Sequence, residues 1–115
     1  MGTNGHIAIY EPGGKAPFNV IYLDNVADPE SLLPILTPFL EAFSRERGGL
    51  QDVESLTAWL VRELIDKTQP QEFMDVGVCR QPHDDVDFHW AIKTEADGGC
   101  TVEYRGGQQF RIMPA

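Results

Sequence analysis

The sequence predicts an α+β fold, and three observations predict it. Val53, Leu56, Leu60 and Leu64 recur at helical spacing behind Asp52. Val86, Phe88, Trp90 and Ile92 alternate strictly with polar or small residues, as a half-buried strand does. The helical segments stand together between two groups of strand-like segments, which favours an α+β layer over alternating βαβ units. The expected order is ββααββββ: an antiparallel sheet, made of a four-strand C-terminal meander plus an N-terminal hairpin, packed against a helical pair.

The first hairpin is read from His6-Ile7-Ala8-Ile9-Tyr10 and Phe18-Asn19-Val20-Ile21-Tyr22-Leu23, joined by Glu11-Pro12-Gly13-Gly14. Its residues are apolar on both faces, so both faces should be at least partly covered. Whether it joins the same sheet as the later strands is left open by the sequence.

Asp28 has the chemistry of an N-cap, Pro29 suits the first helical position, and Glu30 favours the positive end of the helix dipole. Pro34 and Pro38 predict an interruption, because an interior proline removes a hydrogen bond and clashes with the preceding turn. The expectation is therefore short turns over 29–36 and a restart at Thr37-Pro38 that runs to about Arg47. Leu36, Phe39, Leu40 and Phe43 share one side, and Gly48-Gly49 ends the segment. The second helix is capped by Asp52 and ends near Lys67, before Gln69-Pro70; the two should pack as a helical hairpin.

From Phe73 the period changes to two. Met74, Val76 and Val78 alternate with Asp75, Gly77 and Cys79. The strand Val86–Ile92 follows the polar loop Gln81-Pro82-His83-Asp84-Asp85. After the turn Ala96-Asp97-Gly98-Gly99 come Cys100, Val102 and Tyr104, and Gly106-Gly107 returns the chain through Gln108 to Met113.

Composition bounds the function. With 115 residues, 42% hydrophobic and 23% charged, the chain suits one globular domain. The net charge is −9, spread as −1 over residues 1–27 and −4 over each of 28–67 and 68–115. That acidity argues against nucleic acid as a direct partner, which requires a basic patch, and is compatible with a basic protein partner. The apolar runs are too short for a transmembrane span, the N-terminus lacks a signal-peptide pattern, and His6 stands where a myristoylation motif needs Ser or Thr; the expected compartment is the cytoplasm, with no membrane partner. Cys79 and Cys100 lack C-x-x-C spacing and read as reduced thiols. In the expected meander one strand separates them, which puts them roughly 10 Å apart, too far for a disulfide.

The densest group of ligand-type side chains is His83-Asp84-Asp85-Val86-Asp87-Phe88-His89. On a strand, Asp85, Asp87 and His89 would share a face and could hold a divalent cation, with His89 able to act as a base. Against this, the opposite face carries the core residues, so the polar face points to solvent, and the spacing fits no established metal motif. Cys79 or Cys100 could serve as a nucleophile beside His83 or His89, although Cys100 shares the core face of Val102 and Tyr104 and reads as a buried thiol. None of the Gly-Gly pairs has phosphate-loop spacing, Asp84, Asp85 and Asp87 lack the cleft that glycosidic chemistry requires, and no cofactor motif is present. His6 has no partner that the sequence can name.

Tyr10, Tyr22, Trp59, Trp90 and Tyr104, with Phe110 and Ile112, either fill the core or line a sheet face that the helices leave uncovered. Two function classes follow. One is a non-enzymatic acidic domain that binds a protein partner or itself, as a homodimer. The alternative is a small-ligand-binding domain or enzyme with a pocket between sheet and helices, with Asp87, His89, Cys79, Trp90 and Tyr104 as the candidate ligand-binding residues.

Overall fold

A computed structural model describes residues 3–68, 75–82, 84–107 and 109–114. Eight elements follow in chain order: β1 (Gly5–Tyr10), β2 (Asn19–Leu23), α1 (Pro29–Arg47), α2 (Val53–Thr68), β3 (Val76–Cys79), β4 (Phe88–Thr94), β5 (Cys100–Tyr104) and β6 (Gln109–Ile112). The order ββααββββ is as expected from the sequence. Gln69-Pro70, Phe73, Met74, His83 and Gln108, which entered the sequence reading, lie outside the described residues.

The strands form one six-stranded sheet in the order β3-β2-β1-β4-β5-β6. It is mixed, which corrects the expected antiparallel sheet: β1 and β4 run parallel, and every other neighbouring pair is antiparallel. The expected four-strand meander is reduced to β4-β5-β6, because β3 pairs with β2 at the far edge. The cause is visible in β1. Ile7, Ala8 and Ile9 are all buried, as suits a strand paired on both sides at the centre of the sheet.

Residues 80–82 and 84–87 belong to the connection that leads from the β3 edge back to the centre. The register requires this connection to pass β2 and β1, and it does so over the face away from the helices. Pro82 comes to lie beside His6 and Ala8, and Asp85 acts electrostatically on Tyr22. Val86, expected on β4, belongs to this connection: it is buried but stands outside the main core cluster.

Helix α1 is continuous, which corrects the expected break at Thr37-Pro38. Asp28 caps it, accepting from the Ser31 N–H at 3.2 Å. Pro34 and Pro38 lie one turn apart on the exposed face, where the carbonyls they leave unbonded can turn to water. An interior proline costs about 3 kcal/mol. Burial of Leu32, Leu36, Leu40 and Phe43 on the opposite face, at about 1.5–3 kcal/mol per side chain, outweighs both. Gly48 ends the helix in the left-handed conformation (φ 73°), with the Gly49 N–H returning to Ser44 O at 2.9 Å. The same loop docks on the β4–β5 turn: Leu50 N–H donates to Gly98 O at 3.0 Å, and a Cβ on Gly49 would lie 3.0 Å from the Gly98 Cα.

Helix α2 is as read, capped by Asp52 at the Ser55 N–H (3.3 Å), with Val53, Leu56, Leu60 and Leu64 buried. Both helices cover one face of the sheet. Between them and the sheet lie Ile7, Ile9, Ile21, Leu23, Trp90, Ile92, Cys100, Val102 and Ile112, a closed apolar layer.

Candidate functional site

The second face of the sheet is built by the register of β1 against β4. His6 stands opposite His89, Ala8 opposite Ala91, and Tyr10 opposite Lys93. The central pair is therefore two alanines, the smallest side chains that still alternate out of the pleat. Larger groups rise around them: the two imidazoles at one end, Tyr10 at the other, Pro82 of the crossing connection on one side, and Glu103, Arg105 and Gln109 of the β5–β6 hairpin on the other. The result is a hollow of about 680 Å³.

Its charged groups are arranged in two ways. Glu103 is committed: Lys93 Nζ pairs with Glu103 Oε1 at 2.8 Å, and Gln109 Nε2 donates to Glu103 Oε2. The bond from Lys93 holds the Glu103 carboxyl below its ordinary range and raises the Lys93 ammonium, so the two shifts agree on a stable ion pair. Lys93 also sits over the Tyr10 ring, 5.7 Å from its centroid. Arg105, by contrast, is exposed and makes no ion pair among the described residues. Its backbone N–H donates to His89 O at 2.9 Å, which fixes the hairpin beside the imidazoles.

The two imidazoles meet edge to face, with centroids 4.6 Å apart. His6 is buried and His89 half-buried. His89 Nδ1 is closed off from solvent and has no hydrogen-bond partner among the described residues, which leaves Nε2 as the nitrogen able to meet a ligand.

The sequence-derived candidates are placed as follows. His89 is in the hollow, and its partner is His6 of β1, not Asp85 or Asp87. Strand β4 begins at Phe88, so both aspartates lie in the connection before it and are exposed; the Asp87 N–H is held by Asn4 Oδ1 at 3.0 Å. The expected Asp85-Asp87-His89 face is therefore not formed, and no group of three metal-ligating side chains occurs among the described residues. Trp90 and Tyr104 border the hollow but belong chiefly to the helix side. Their rings stack at 4.7 Å, and Trp90 Nε1 donates to Ala27 O at 2.7 Å.

Cys79 lies on the edge strand β3, with its thiol 3.5 Å from Val20 O, away from the hollow. Cys100 is buried under the helices; both thiols are free. Three strands rather than one separate the two cysteines, a spacing of roughly 19 Å across the sheet.

The concavity lies on the sheet face that the helices leave uncovered, and the space between sheet and helices, the other place considered for a pocket, is filled. Among the lining residues, His6, Ala8, Ala91 and Arg105 are not singled out by the sequence. The available signal was β1 itself, whose apolar residues on both faces mark a central strand needing a second neighbour.

Among the described residues no helix is long and apolar enough to cross a membrane. No protein-family model, no curated protein and no solved structure matches the chain, so the functional reading comes from the geometry of the hollow.

Proposed function

We propose that this chain is a ligand-recognition domain whose binding surface is the hollow on the open face of the sheet. The observation that supports the reading best is the Ala8–Ala91 floor between raised polar walls. It creates a recess with donors, acceptors and aromatic edges on secondary structure whose other side is anchored in the core. The lining offers imidazole, phenol, amide and guanidinium groups and contains no Ser, Thr or Cys among the described residues, which favours binding over nucleophilic catalysis.

The test is a fragment screen read by ¹H–¹⁵N NMR. Hits should shift the amides of Ala8, His89 and Ala91, and Ala91→Phe, which fills the recess without entering the core, should remove those shifts. Hits that ignore Ala91→Phe would overturn the reading.

Self-association is the second reading. It draws on the helix faces away from the sheet, where Trp59 is 49% exposed beside Phe39 and Phe43. Arg62 lies over the Trp59 ring and Arg47 over Phe43, at 5.2 and 5.6 Å, which shrinks the bare apolar area. In the same spectra, concentration-dependent shifts at Trp59 would favour this reading, and their absence would count against it.

A further inference from the structure

We infer that the hollow takes a ligand through an oxyanion group, a carboxylate or a phosphate, received by Arg105 and by Nε2 of His89. This inference rests on the hollow being the binding site and adds the chemistry of what it binds.

Four observations carry it. Arg105 is a guanidinium at the rim with no ion pair among the described residues, in a chain whose net charge is −9. An unpaired arginine presents a planar fork of donors that matches two oxygens of one anionic group. Glu103, the one carboxylate among the lining residues, has one oxygen on Lys93 and the other on Gln109. It is thereby neutralised and does not compete for Arg105. His89 is on the neighbouring strand with its Nδ1 closed off, so a ligand would meet the ring at Nε2, and the Arg105 N–H to His89 O bond keeps the two residues side by side.

Asp84, Asp85 and Asp87 are exposed on the crossing connection and are not among the residues that line the hollow. Tyr10 and the edge-to-face imidazoles flank the alanine floor, so a planar body carrying the anion has apolar and aromatic surface to rest on.

The experiment uses three probes of one shape on the full chain at pH 7.5: benzoate, phenyl phosphate and benzamide. Benzoate, phenyl phosphate or both should shift the amides of Ala8, His89, Ala91 and Arg105, and the tighter of the two identifies the anion class. Benzamide should bind about tenfold more weakly or not at all, and Arg105→Gln should weaken the oxyanion probes by roughly tenfold. Arg105 is exposed, so an unchanged spectrum outside the hollow confirms that the variant is folded.

If benzamide binds the hollow as tightly as benzoate, or Arg105→Gln changes nothing, the oxyanion inference is overturned while the hollow stands as a binding site. If none of the three probes shifts the hollow's amides, the oxyanion inference is overturned, and if the fragment screen also gives no hits there, both readings are.

Discussion

Burial separates the two cysteines by what each can do. Desolvation beneath the helices pushes the Cys100 thiol up to about 12. At pH 8 its thiolate fraction is then about one in ten thousand, and access is blocked as well. Burial also raises Cys79, but that side chain is only partly enclosed, on an edge strand. A thiol reagent at pH 8 should therefore label Cys79 in the native protein and reach Cys100 only on unfolding. Rapid labelling of the Cys79→Ser variant would contradict this. The assignment of Cys100 to the core was legible in the sequence, because alternation with Val102 and Tyr104 is a local pattern. Ala8 and Ala91 were not legible as a site: each is an unremarkable small residue until a parallel pairing between distant segments sets them side by side.

At the scale of elements, local patterning succeeded for α2 and misled for α1. The error had a physical source. Either proline alone is a helix breaker, whereas their four-residue spacing places both on the solvent face, opposite Leu32, Leu36 and Leu40. Tertiary burial then holds the helix through them. Pro38→Ala should restore a donor to the carbonyl of Pro34, against an unfolded-state entropy gain of about 0.4–1 kcal/mol. A net stabilisation of about 2–2.5 kcal/mol in urea unfolding is expected; a loss of stability would show that the proline fits a strained turn better than alanine does. Strand β4 starts two residues later than the alternation predicts. Val86 belongs to the crossing connection, where it is buried outside the main core, so apolar alternation continued past the true strand end.

For the whole molecule, strand order was the illegible part. Which strand pairs with which is decided by contacts far apart in sequence, after loop-closure costs that no local window records. The sequence did show that helices stand between strand groups, and that suffices for an α+β layer with one closed core. It did not show that Pro82 of the β3–β4 connection comes to lie on the open face, and the hollow depends on that placement and on the β1–β4 pair beneath it.

The parallel pairing of β1 with β4 is thus the claim on which the site stands, and nuclear Overhauser contacts test it most directly. Parallel pairing predicts cross-peaks between the ring protons of His6 and His89, together with inter-strand backbone contacts along Ala8 and Ala91. Cross-peaks linking Val78 to β4, with none between His6 and His89, would place β3 beside β4 in a meander and contradict both the sheet order and the hollow.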